Sequence, residues 1–156
     1  MDSINRFPPE NADQNLVRFP KRKALVAVRQ VGHMVYTSGH GPEDQLTGRP
    51  LYAGRIGRDL TPEEGARAAR ECVIILLGAL RDKLGSLDRV RQLVKATALI
   101  NVDNGFCDLD FVMDGFSDLM LEVFRERGYH ARTLMGTHNL PNGNIPIEIE
   151  LIAEID

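Results

Sequence analysis

Residues 145–155, Ile-Pro-Ile-Glu-Ile-Glu-Leu-Ile-Ala-Glu-Ile, alternate between apolar and mostly polar side chains along their whole length. A two-residue period is typical of a β-strand with one buried face. The preceding Pro141–Asn144 segment contains Asn-Gly, which is a strong hairpin-turn signal. We therefore expect a C-terminal hairpin in which the arm 132–137 lies beside the last strand, so that Arg132 comes close to Glu148 and Glu150.

The composition is that of an ordinary soluble globular protein. The chain has 156 residues, of which 43% are hydrophobic and 26% charged, so we expect one domain over residues 24–156 behind an N-terminal arm, residues 1–23. A net charge of −3 disfavours nucleic acid as a partner. No apolar run approaches the length of a membrane span, and no signal peptide is visible. Cys72 and Cys107 form no metal or redox motif, which favours free thiols and a cytoplasmic location.

The pattern of elements predicts an α+β domain with the order β-β-α-β-α-β-β. The first helix has the clearest signals, because Thr61 and Glu64 form a capping box and Gly85 stands where a left-handed cap belongs. The predicted elements are strands at 24–30 and 33–38, a long loop at 39–60, a helix at 61–84, a strand at 93–102, a loop at 103–110 and a helix from 111 or 115 to 127. We expect a mainly antiparallel sheet with both helices on one face, and a second face that is either solvated or covered by another subunit.

Several short motifs follow one another in a specific order and spacing. They are Val35-Tyr36-Thr37-Ser38-Gly39, Val94-Lys95-Ala96-Thr97, Ala131-Arg132, Leu140-Pro141 and Ile147-Glu148-Ile149-Glu150. Over residues 24 to 155 the chain thereby resembles the Rid (reactive intermediate deaminase) family, also called the YjgF family or endoribonuclease L-PSP family.

The resemblance implies a chorismate-mutase-like fold, and a homotrimer whose sheets meet in a central barrel with clefts between subunits. It also implies hydrolysis of imines and enamines to keto acids and ammonia, with no metal or organic cofactor. Arg132 matches the arginine that grips the substrate carboxylate, and Glu148 matches the acidic residue that positions water. Ser38 and Gly39 match the serine and glycine that end the second strand, and Asp114 lies near a position that is often asparagine.

Some positions depart from the pattern of the active deaminases, which makes the chain a divergent member. Leu134 takes the substrate-binding position where several deaminases have cysteine, and Leu25 replaces a tyrosine that shapes the pocket. The hairpin turn is one residue longer, and the 103–110 loop is an addition. These changes leave the preferred substrate open.

Each candidate residue also has a plain structural interpretation. Arg132 could form a salt bridge with Glu148 or Glu150 that only closes a trimer, and alternating glutamates are more often a solvated face than a catalytic pair. The four histidines lack metal-ligand spacing.

The family resemblance and these residues leave three functions open. The first is an imine deaminase that acts on small carboxylates, with Glu148 as its catalytic residue. The second is a trimer that binds small carboxylate metabolites and regulates a partner without turnover, which Leu25 and Leu134 favour. The third is a ribonuclease, which is a label that some relatives carry. It is the least favoured, because the chain is acidic and lacks a Lys/His cluster.

Overall fold

The computed structural model describes residues 25–156, so the expected arm at residues 1–23 lies outside the described residues. One five-stranded sheet has the strand order β1-β2-β5-β3-β4 and is covered by two long helices. The elements are β1 (Val28–Val31), β2 (Met34–Thr37), α1 (Pro62–Leu84), β3 (Val90–Asn101), α2 (Leu109–Phe124), β4 (Ala131–Thr137) and β5 (Ile147–Ile155). The α+β class, the element order and the mainly antiparallel sheet are therefore confirmed.

The start and end of α1 are set by local sequence, as predicted. The Thr61 hydroxyl accepts a hydrogen bond from the Glu64 backbone N–H, and the Glu64 carboxylate accepts one from the Thr61 N–H. Gly85 ends the helix at φ 82°, a left-handed conformation that suits glycine. The second helix was predicted to run to residue 127, but α2 stops at Phe124 and Arg125 has φ 57°. A short 3-10 turn at Arg125–Gly128 follows it.

The predicted C-terminal hairpin is wrong, because β4 and β5 are not neighbours. β4 lies at the edge of the sheet and pairs in parallel with β3, whereas β5 pairs antiparallel with both β2 and β3. The physical reason is that alternation shows which side chains share a face but not which strand lies alongside. Residues 138–146, which separate the two strands, carry the chain past the end of β3 rather than closing a two-residue turn.

The helices cover one face of the sheet, and the core lies between. The alternate residues of β5 on that face are fully or almost fully buried, as are Ala96, Ala98 and Ile100 of β3. The opposite face carries Glu150, which is exposed, and Tyr36, whose exposed fraction is 42%. The expected division of β5 into an apolar covered face and a glutamate-bearing uncovered face is confirmed.

Candidate functional site

Arg132 is held by a row of polar side chains on α2. Its Nη1 donates to Asp114 Oδ1 at 2.9 Å and to Ser117 Oγ at 3.2 Å, and its Nη2 donates to Asp110 Oδ1 at 2.7 Å. Burial opposes the charge of the guanidinium, but the bonds to Asp114 and Asp110 outweigh it and raise the pKa of Arg132. One cation is thus shared between two carboxylates of the same chain.

A cleft of about 320 Å³ opens beside this arginine, between α2 and the start of β4. Asp114, Ser117 and Arg132 line it, together with Tyr129 and His130. His130 is fixed by contacts of its two ring nitrogens with Ser117 Oγ and the Gly128 carbonyl oxygen, at 3.2 and 2.7 Å. The cleft therefore has polar walls whose side chains are already oriented by one another.

Glu148, on β5, lies on the other face of the sheet, next to the point where the chain leaves β2. Its carboxyl group packs directly against Gly39, and a Cβ at that position would overlap Oε1 and lie 2.9 Å from Cδ. Any side chain larger than hydrogen would displace the carboxyl group. Only glycine at position 39 allows Glu148 to take this position.

A second carboxyl group, that of Glu43, acts on Glu148. Burial first, then the negative charges of Glu43 and Glu150, raise the pKa of the Glu148 carboxyl group. Burial also raises the pKa of Glu43, against the effect of a hydrogen bond that Asn142 Nδ2 donates to its Oε1. Glu148 is therefore a carboxyl group that holds its proton more tightly than an ordinary surface glutamate, which is a common property of acid–base residues.

The turn that carries Asn142 is fixed by a buried amide. The side chain of Asn101 is fully buried, and its Nδ2 lies 2.9 Å from Asn144 Oδ1, 3.2 Å from the Ile145 carbonyl oxygen and 3.3 Å from the Gly54 carbonyl oxygen. These bonds join the end of β3 to the long loop and to the segment before β5. Asn101 thereby sets the place from which Asn142 reaches Glu43.

The predicted site residues fall into two groups on opposite faces of the sheet. Arg132 and Leu134 pair with Ala96 and Ala98 of β3, on the helix-covered face. Glu148 pairs with Leu99 and therefore points to the other face. The expectation that one chain brings Arg132 beside Glu148 is wrong, because β3 separates their strands and the pleat turns them apart. A salt bridge between them within one chain is excluded for the same reason.

The remaining predicted residues divide between these groups. Asp114 bonds to Arg132, whereas Gly39 contacts Glu148. The Ser38 hydroxyl donates to the Val26 carbonyl oxygen at 2.7 Å, so it is engaged in holding the chain ahead of β1. Leu134 is partly buried and packs against the core. The functional roles of all six residues stay predictions.

Three residues near these groups were missed from the sequence. Asp110 and Ser117 stand four residues before and three after Asp114, a spacing that places all three on one helical face. That signal was available, but residue 110 was assigned to the loop. Glu43 could not be found, since nothing local connects it to Asn142, 99 positions away.

Two wider properties of the described residues bear on the class of site. Among residues 25–156, no group of three or more His, Cys, Asp or Glu side chains is placed to hold a metal ion. No helix in that part of the chain is long and apolar enough to cross a membrane.

The fold and the family agree. Residues 24–155 match the protein family described as YjgF/chorismate mutase-like, putative endoribonuclease. The chain belongs to this family, and the resemblance inferred from the sequence motifs is confirmed.

Individual relatives show the same relationship. The chain is 35% identical over 126 residues to protein TCP17 of Trypanosoma cruzi. The aligned region covers 80% of this chain and 77% of TCP17. It is 31% identical to Atu1372 of Agrobacterium tumefaciens, a protein of unknown function, with a TM-score of 0.81 and coverage of 85% and 84% of the two chains. Escherichia coli TdcF with bound serine shares the fold, with a TM-score of 0.60 at 22% identity and coverage of 85% and 88%.

Proposed function

We propose that this protein hydrolyses small imines and enamines that carry a carboxylate, and releases a keto acid and ammonia. The observation that carries the proposal is the Glu148 carboxyl group, which is partly buried against Gly39 and has a raised pKa. The reaction needs a placed water and a group that can accept and return one proton. It needs no metal or organic cofactor.

Glu148 would serve both steps of the reaction. In its ionised form the carboxylate takes a proton from water as the water oxygen bonds to the carbon of the protonated imine, which gives a neutral carbinolamine. The protonated carboxyl group then returns that proton to the nitrogen. As the carbon–nitrogen bond breaks, the carboxylate takes the proton of the carbinolamine hydroxyl, so that the keto acid and ammonia are released, and it then loses this proton to solvent. A carboxyl group with a pKa above the ordinary range is better matched to this exchange near neutral pH than one that is always ionised.

Arg132 would bind the substrate carboxylate, since a guanidinium fork matches a carboxylate in shape and charge. Arg132 and Glu148 of one chain point to opposite faces of the sheet, so one substrate cannot contact both within a single chain. A cleft between two copies solves this problem, with Arg132 from one copy and Glu148 from its neighbour. We therefore include in the proposal the homotrimer implied by the family, with the uncovered sheet face as its interface.

Two further observations support a small carboxylate ligand and a subunit interface. Serine, bound by TdcF, is a small molecule with a carboxylate. The uncovered face of this chain carries apolar side chains beside its glutamates, including Tyr36 at 42% and Met135 at 48% exposure, and partly buried Ile152. Large apolar side chains grouped on an otherwise polar face favour contact with another protein surface.

A coupled assay that generates 2-iminopropanoate in the presence of the protein tests the proposal. Wild type should speed release of pyruvate and ammonia over the spontaneous rate, and Glu148→Gln should lose most of this gain. Glu150→Gln is the comparison on the same strand. Because the charge of Glu150 is only the last of the three causes that raise the pKa of Glu148, this variant should lose much less of the gain than Glu148→Gln does. Equal rates with wild type, with Glu148→Gln and without protein would show that the protein is not this enzyme.

A second candidate function is binding of small carboxylates without turnover. It is favoured by the state of Arg132, which is already bonded to two aspartates, and by the apolar Leu134 next along the same face. A keto acid that raises the melting temperature of the protein, with no imine hydrolysis by wild type, would support this candidate. Absence of a thermal shift across keto acids and amino acids would exclude it.

A ribonuclease activity ranks third, although the family description includes it. Burial lowers the pKa of His40 to about 4, against a hydrogen bond with the Ala27 backbone, so this histidine is neutral at physiological pH. RNA cleavage by highly purified protein that falls steeply with added salt would reverse the ranking.

A further inference from the structure

The α2 helix presents a row of three polar side chains to Arg132. Asp110, Asp114 and Ser117 stand at i, i+4 and i+7, and all three accept hydrogen bonds from its guanidinium. Two like charges four residues apart on a helix repel each other, and a cation between them relieves that repulsion. With Arg132 positive and both aspartates ionised, the group has a formal charge of −1.

The two aspartates bond to different nitrogens of the guanidinium. Asp114 and Ser117 bind Nη1, whereas Asp110 alone binds Nη2. Within the described residues 25–156, no acceptor bonds to Nε of Arg132. The Nε and Nη2 edge is one of the two faces of the fork that can bind a carboxylate side-on with two parallel hydrogen bonds. Asp110 therefore bonds to a nitrogen, Nη2, that a carboxylate bound side-on at this edge would also use.

Asp110 is also the more easily displaced of the two partners. Its side chain is 77% exposed, against 54% for Asp114 and 26% for Arg132. It lies in the first turn of α2, at the end of the 103–110 segment that departs from the family pattern. Removal of Asp110 from Nη2 would leave Asp114 and Ser117 in place to hold the guanidinium by Nη1.

We propose that Asp110 is an internal competitor for the carboxylate position on Arg132, which a ligand must displace in order to bind. This inference rests on the proposed function, in which Arg132 receives a small carboxylate. The ligand carboxylate exchanges for the Asp110 carboxylate, so binding gains only the difference between two similar ion pairs. Asp110 thereby lowers the affinity for simple monocarboxylates and selects ligands that bring further contacts of their own.

Calorimetric titration of the full chain with 2-oxobutanoate at low salt tests this inference. Because exposed ion pairs are weak, Asp110→Asn should lower Kd by about threefold to fivefold. Adding Arg132→Ala to Asp110→Asn should abolish the gain. Asp118→Asn is the control, because it removes the same charge from the same helix and cleft. It should change Kd less than about twofold, and this change in Kd should become smaller with added salt.

The possible outcomes separate the competitor from the carboxylate site itself. If wild type and Asp110→Asn bind equally, and Arg132→Ala abolishes binding in both, Asp110 is not a competitor and the carboxylate site stands. If neither wild type nor Asp110→Asn binds 2-oxobutanoate, both the competitor and the carboxylate position on Arg132 are overturned. Circular dichroism of each variant checks that α2 remains folded.

Discussion

The contact between Gly39 and Glu148 allows the position of one carboxyl group to be changed without removing it. In Gly39→Ala, the added Cβ would lie 2.9 Å from Glu148 Cδ, whereas ordinary contact begins at 3.4 Å. The carboxyl carbon must therefore move by at least about 0.5 Å, and Oε1, which overlaps the methyl group, by about 1 Å. A misplacement of that size at a reacting group costs about 100-fold in rate. We expect kcat/KM for 2-iminopropanoate to fall by this factor.

The same substitution should have little effect on stability. The displaced atoms belong to the end of a flexible side chain, and Gly39 has no left-handed backbone conformation that alanine would resist. Alanine also lowers the entropy of the unfolded chain, which stabilises by about 0.4–1 kcal/mol. Imine hydrolysis and thermal unfolding would be measured on the same preparations. Full activity in Gly39→Ala would refute the role of Glu148, and a large loss of stability would refute the steric argument.

Gly78→Ala is the matched control for this comparison. Gly78 lies within α1, and a Cβ added there meets nothing within 4 Å. We expect unchanged activity and a gain in unfolding free energy of about 0.5–1 kcal/mol, because alanine favours helix over glycine.

Three further predictions concern charge, a buried amide and a helix cap. Because the pKa values of Glu148 and Glu43 are raised, the native state binds protons that the unfolded chain has already released. The unfolding free energy of wild type should therefore fall as pH rises from about 4.5 through the raised pKa values of the two glutamates. Glu148→Gln should flatten this dependence in urea titrations, and a steeper dependence in the variant would contradict the sign. Asn101→Ala should cost about 2–3 kcal/mol in chemical denaturation, because it leaves buried carbonyl groups without their donor; a loss under 0.5 kcal/mol would refute this. Thr61→Ala should cost about 1 kcal/mol and leave activity unchanged.

The part of the fold that the sequence predicts is the part governed by neighbouring residues. The α1 helix begins and ends through contacts four residues apart or fewer, so Thr61, Glu64 and Gly85 were enough to place it. The buried and exposed faces of β5 also follow from alternation alone. The structure also distinguishes the two glutamates, since Glu148 is partly buried and Glu150 exposed, while the choice of Glu148 as the catalytic residue stays a prediction.

The part that could not be predicted depends on which distant segments meet. A strong Asn-Gly turn signal suggested that β4 would pair with β5, but β3 lies between them. That one error placed Arg132 beside Glu148 and concealed the real partners of Arg132, which lie on α2. The Glu43–Asn142 contact has the same character, because it depends on how the long loop and the segment before β5 are joined by Asn101.

Complementation between two inactive variants tests the central claim most directly. Arg132→Ala and Glu148→Gln would be unfolded together, refolded as a mixture and assayed for hydrolysis of 2-iminopropanoate. If each cleft takes Arg132 from one copy and Glu148 from its neighbour, random mixing in equal amounts should restore about a quarter of the wild-type rate. Activity no higher than that of either variant alone, in mixtures shown to contain both chains in one assembly, would contradict a site shared between subunits.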